Sequence, residues 1–86
     1  MSQARKKKVS LADLKRHQEA TVEQIDLPVD LSTRLMDMGF VPGTVVSAVQ
    51  SAPGGDPRVF RIDGTDIALR RETARHILVR RPADLS

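Results

Sequence analysis

From Arg58 to Arg70 the chain reads R-V-F-R-I-D-G-T-D-I-A-L-R, and few stretches of this length leave a backbone so little choice. Asp63-Gly64 is the signal of a two-residue hairpin turn between antiparallel strands. With that loop length, Ile62 pairs with Thr65, Arg61 with Asp66, and Phe60 with Ile67. Phe60, Ile62, Ile67 and Leu69 then share one face. Arg61 meets Asp66 as an opposite charge on the other. The chain is thereby committed to antiparallel sheet with one covered face.

A second constraint lies upstream, where a helix must turn at once into a strand. Asp30 is read as the cap of a helix over 31–38. Leu31, Leu35 and Met38 fall at i, i+4 and i+7 on its inner face. Met38 is therefore expected in the core and Met36 on the opposite, outer face. Gly39 sits where a helix end takes a left-handed residue, so that Phe40 folds back onto Leu35 in a Schellman motif. Val41-Pro42-Gly43-Thr44 has the chemistry of a type II turn. A strand over 44–50 follows.

Elsewhere the signals are shorter. Ser10, with Asp13 three positions on, predicts a capped helical turn. Residues 19–25 alternate as a strand, imperfectly at Ile25. Residues 52–57, A-P-G-G-D-P, are dense in turn formers. Residues 72–76 predict one helical turn and 77–79 a last strand. Five short strands with tight turns and a few helical turns describe a mainly β fold, a small, strongly bent barrel. The domain is expected over 9–81, between a disordered basic tail at 1–8 and a frayed end at 82–86.

Composition narrows the function. With 86 residues there is room for one small domain and no deep enclosed site. The chain has no Cys, so no disulfide framework and no thiolate metal site. No apolar run reaches the roughly 20 residues of a membrane span, and no apolar segment follows the basic N-terminus as in a signal peptide. A cytoplasmic protein that does not insert into the membrane is expected. The formal charge is +3, yet residues 5–8 hold four of the fourteen basic residues. From Val9 onward ten basic residues face eleven acidic ones. Within that body, 9–56 carries three basic and seven acidic groups, and 57–86 seven basic and four acidic. Such polarisation suits a protein partner.

No catalytic constellation stands out. His17 and His76 are the only histidines and read as solvated surface groups. No serine lies in a nucleophile elbow, and the carboxylates are scattered over turns. Divalent transition metals of intermediate softness favour imidazole with carboxylate, and two distant histidines do not supply that set, so neither metal nor cofactor is expected. Gly54-Gly55 lacks the Lys-Ser or Lys-Thr of a phosphate loop. Met36 reads equally as an adaptable contact residue or as an ordinary surface apolar side chain. Arg34, Arg58, Arg61, Arg70 and Arg71 read as solvated charges, locally paired, before they read as a patch.

Several of these pieces occur in one order and spacing. They are Leu11-Ala12-Asp13-Leu14, the run from Arg34 to Val46, Ala52-Pro53, Gly55-Asp56-Pro57, Gly64, Ala68-Leu69-Arg70 and Ile77-Leu78-Val79. Together they resemble the FeoA family, ferrous iron transport protein A. The resemblance implies an SH3-like barrel. It also implies a cytoplasmic, non-enzymatic accessory that binds the cytosolic GTPase domain of a FeoB-type transporter and modulates uptake. On that reading the contact surface comprises Arg34, Met36, Pro53, Gly55, Asp56, Pro57 and Arg70. A weak homo-oligomer is left open. Two other readings compete. One is a small nucleic-acid-binding barrel, disfavoured because base-stacking aromatics are missing and the basic tail would bind without sequence preference. The other is the regulatory domain of a metal-dependent repressor, disfavoured because no helix-turn-helix precedes the barrel.

Overall fold

The computed structural model describes residues 8–82. Six strands run in one antiparallel sheet: β1 (Val9–Ser10), β2 (Glu19–Ile25), β3 (Val45–Ser51), β4 (Arg58–Ile62), β5 (Thr65–Leu69) and β6 (Ile77–Arg80), in the order β1-β6-β2-β3-β4-β5. Two short helices join them, α1 (Val29–Asp37) and α2 (Arg71–Ala74). The count is one strand above expectation. β1 is too short to show periodicity, and its pairing with β6 supplies what local sequence does not. Of the predicted tail and frayed end, only Lys8 and Pro82 lie within the described residues.

The β4–β5 hairpin has the expected register: Ile62 with Thr65, Arg61 with Asp66, Phe60 with Ile67. Asp63 and Gly64 take φ of 51° and 79°, the two left-handed residues of a type I′ turn. The predicted ion pair forms, with Arg61 Nε 2.7 Å from Asp66 Oδ1. Through that hydrogen bond Arg61 holds the Asp66 carboxyl below its ordinary pKa.

The helix-to-strand corner also forms. Gly39, at φ 113°, donates to the Met36 carbonyl (3.0 Å), and Phe40 N–H reaches the Leu35 carbonyl (3.1 Å), the two bonds of a Schellman motif. Phe40 is fully buried against Leu35 in the core. Thr44 N–H closes the turn on Val41 at 3.0 Å, with Gly43 at φ 97°.

Two expectations for α1 fail. Asp30 is the second helical residue and not the cap; the helix begins after Pro28, whose fixed φ suits a helix start. Met38, expected in the core, is 39% exposed, and Leu31 is 43% exposed. The helix lies on the sheet through Leu35 alone, too short to bury a full stripe. The Ser10 box does form: Ser10 N–H donates to Asp13 Oδ2 (2.9 Å) and Ala12 N–H to Ser10 Oγ (3.2 Å), around a 3₁₀ turn at Leu11–Asp13.

The imperfect alternation in β2 has a geometric cause. The register with β6 slips between Val22 and Gln24, so Glu23 is the extra residue of a β-bulge. The slip turns Gln24 outward and returns Ile25 to the core side with Ala20 and Val22. β6 extends one residue further than expected, to Arg80, which pairs with Glu23.

Candidate partner-binding surface

The residues read from sequence as a contact surface fall at two ends of the molecule. Arg34 and Met36 stand on α1 on either side of buried Leu35. Met36 is 41% exposed, and Val29, about two turns before it on the same side, is 81% exposed. This end also holds the Asp63-Gly64 turn, because Gly39 lies within van der Waals reach of Ile62. Pro53, Gly55, Asp56, Pro57 and Arg70 gather at the other end of the hairpin. β4 separates the two regions by about 13 Å, at roughly 3.3 Å per residue.

The 53–57 loop is held by backbone bonds. Gly55 N–H donates to the Ala52 carbonyl (2.8 Å) and Ala52 N–H to the Pro57 carbonyl (2.9 Å). Gly54 and Gly55 both take positive φ, 88° and 87°, conformations that side chains other than glycine resist. The Asp56-Pro57 bond is cis. Asp56 Oδ1 accepts the Arg71 N–H at 2.9 Å, which docks the loop onto the start of α2. Arg70, just before that contact, is exposed.

Beside the loop lies an open cleft of about 610 Å³ between the Leu11–Asp13 turn and α2. Lys8, Arg71 and Arg75 supply its cations, and Asp13, Asp56 and Glu72 its carboxylates. Sequence reasoning did not bring these residues together. Their one local signal is Arg71 and Arg75 at i, i+4 on a single helical turn.

Arg58 corrects a further expectation. It is only 9% exposed and not a solvated surface charge. It shares the inner face with Phe60 and Ile62, opposite Leu69, as strict alternation requires. Its Nη1 donates to the Leu14 carbonyl, and its guanidinium lies 5.6 Å from the centre of the Phe60 ring. Burial lowers its pKa, and the nearby Arg71 charge lowers it further. No strand pairing joins β1 to β5 among the described residues. Arg58, on the strand beside β5, instead reaches the segment that follows β1.

Among the described residues, no three His, Asp or Glu side chains converge as metal ligands would. His17 sits in an exposed turn at φ 73°. His76 accepts a 3.4 Å hydrogen bond from Arg75 Nε. No helix among the described residues is long and apolar enough to cross a membrane.

A curled antiparallel sheet with short helical connections defines a small SH3-like module. The family follows from comparison: a model of the FeoA domain matches residues 9–81, and the chain belongs to the FeoA family. It is similar to the Fe(2+) transport protein A/Fe(2+) transporter FeoB fusion protein of Porphyromonas gingivalis, with 35% identity over 69 residues. That match covers 80% of this chain and only 8% of the fusion protein. Among solved structures, the FeoA protein of Chlorobium tepidum superposes with a TM-score of 0.81 at 31% identity, covering 86% of this chain and 70% of that one. Stenotrophomonas maltophilia FeoA complexed with zinc, described as a procaryotic SH3 domain protein, gives 0.73 at 35% identity, covering 83% and 88%.

Proposed function

We propose that this chain is a non-enzymatic accessory of ferrous iron transport. It would act in the cytoplasm by binding the cytosolic GTPase domain of a FeoB-type transporter. The observation that carries this reading is the Porphyromonas gingivalis relative, in which a domain 35% identical to this one is covalently joined to the transporter. Such tethering holds a domain near its target at high effective concentration, which is useful when the two touch. The surface supports the same reading, since its charged and apolar side chains project without converging on a reacting centre. Modulation then means binding one conformation of the transporter more tightly than another.

The proposed contacts are Arg34 and Met36 at the helical end, and Pro53, Gly55, Asp56, Pro57 and Arg70 at the loop end. Titration calorimetry of the chain against the transporter's cytosolic domain tests the reading, and saturable binding is expected. Arg70→Glu and Met36→Asp then assign the end: the variant that loses affinity marks the contact. Absence of binding by the unaltered chain overturns the reading, and unchanged affinity in both variants removes both contact regions.

A further inference from the structure

We infer that the outer edge of β5 pairs with the same edge of a second copy of this chain, joining two sheets into one across a two-fold axis. The inference is independent of the transport reading. Among the described residues the sheet ends in two edge strands, β1 and β5. β1 is two residues long, too short to template another strand. β5 runs five residues, about 17 Å of extended chain. It contains neither Lys nor Pro, and its register with β4 is unbroken by a bulge. Those are the devices that ordinarily keep an edge from pairing.

The hairpin decides which backbone groups are free. Across a two-residue loop Ile62 and Thr65 exchange hydrogen bonds, and so, by alternation, do Phe60 with Ile67 and Arg58 with Leu69. The N–H and C=O groups of Asp66 and Ala68 therefore point away from β4, off the sheet. Among the described residues no backbone hydrogen bond reaches them from another segment. Asp66 and Ala68 are exposed. Ile67, between them on the inner face, packs against the core yet is only partly buried. The edge is thus open in both its polar groups and its apolar side chain.

The strand is complementary to itself, in one register above the others. Centring the pair on Asp66 sets two carboxylates directly opposite each other, which is repulsive. Centring it on Ala68 brings Gly64 of each copy opposite Glu72 of the other, so that each hairpin turn runs into α2. Centring it on Ile67 matches 65–69 with 65–69 from end to end. Each Asp66 then exchanges a pair of hydrogen bonds with the second copy's Ala68, which is small enough to leave the Arg61–Asp66 ion pair in place. Arg70, still extended at φ −70° and ψ 150°, falls opposite Gly64, where no atom lies within 4 Å of a side chain's first carbon. It is also diagonal to the second copy's Asp66, an opposite charge. The Ile67 side chains meet at the axis as a closely spaced pair and cover each other's remaining apolar surface. From Val9 onward ten basic residues face eleven acidic ones, so two such bodies repel each other little. An interface one strand wide is small among protein contacts, and the dimer is accordingly a weak one.

The test is sedimentation equilibrium of the full chain from micromolar to millimolar concentration, with amide hydrogen exchange of the isotope-labelled chain over the same range. A reversible monomer–dimer equilibrium is expected, and exchange at the Asp66 and Ala68 amides should slow as concentration rises. Ala68→Asp places a carboxylate opposite the second copy's Asp66 and should weaken the dimer about fivefold or more. Ala68→Lys places a cation there and should hold or tighten it. Ala68→Pro removes an N–H that the domain itself does not use and should abolish the dimer. Melting of each variant at low concentration, where the chain is monomeric, verifies its fold. The inference is overturned if the parent stays monomeric to millimolar concentration, if the slowed amides lie elsewhere, as on the exposed apolar side of α1, or if Ala68→Asp and Ala68→Lys dimerise alike. A monomeric parent whose affinity for the transporter's cytosolic domain is lost in Ala68→Pro overturns the second copy as occupant and gives the edge to a strand of that partner.

Discussion

The two ends of the β4–β5 hairpin differ more than their shared strands suggest. At the Asp63-Gly64 end, backbone geometry is set by glycines in left-handed conformations and by Phe40 and Ile62 fully buried beneath them. At the Arg58 end, where Gly54 and Gly55 are left-handed too, a carboxylate oxygen and a buried cation add side-chain bonds to backbone groups. One end is closed by packing, which is non-directional. The other is closed by polar bonds, which are directional, beside a cleft lined by charges of both signs. A small domain gains a tightly packed corner from the first and an open, charged cleft from the second.

Substitutions can break or sharpen that contrast. Phe40→Ala removes a fully buried ring from the packed end and should cost about 3–5 kcal/mol, read by urea denaturation. If the loss stays below about 1 kcal/mol, the corner is not held by packing. Arg58→Met keeps volume but leaves the Leu14 carbonyl without its donor, an expected loss of about 1–3 kcal/mol. An equally stable variant would mean that this seam closes without the cation. Gly39→Ala forces a Cβ onto φ 113° with Ile62 Cγ2 at 3.5 Å, which is ordinary contact. Backbone strain alone should therefore cost about 1–2 kcal/mol, seen as a lower melting temperature. Ser10→Ala deletes the cap and should cost about 1 kcal/mol, measured the same way.

The smallest effect is expected from Asp66→Asn, since both members of that pair are exposed. The hydrogen bond from Arg61 holds the folded-state pKa of Asp66 below the usual carboxylate value. Its contribution is therefore present above that value and lost as the pH falls through the folded pKa. Stability curves of parent and variant should converge in acid and differ slightly, in the parent's favour, at neutral pH and low salt.

Local chemistry made much of this legible. The hairpin register, the Gly39 corner and the Ser10 box each depend on residues adjacent in sequence, and each forms. The failures share a cause as well. Met38 obeys helical periodicity, but α1 does not lie flat enough to use it. Arg58 obeys strand alternation, which pointed it inward, and its charge misled because its acceptor is a carbonyl 44 positions away. The cleft was invisible for the same reason, since its walls come from both ends of the chain.

The slip at Glu23 means that β2 carries one residue beyond what its hydrogen-bonded ladder can use. Removing a residue from the middle of a strand ordinarily turns everything beyond it inside out. Here the shortened strand would run Val22, Gln24, Ile25 in unbroken in-and-out order, with Ile25 still facing the core. The domain can therefore vary in length at this place without exchanging its interior for its exterior, giving up the contact between Glu23 and Arg80.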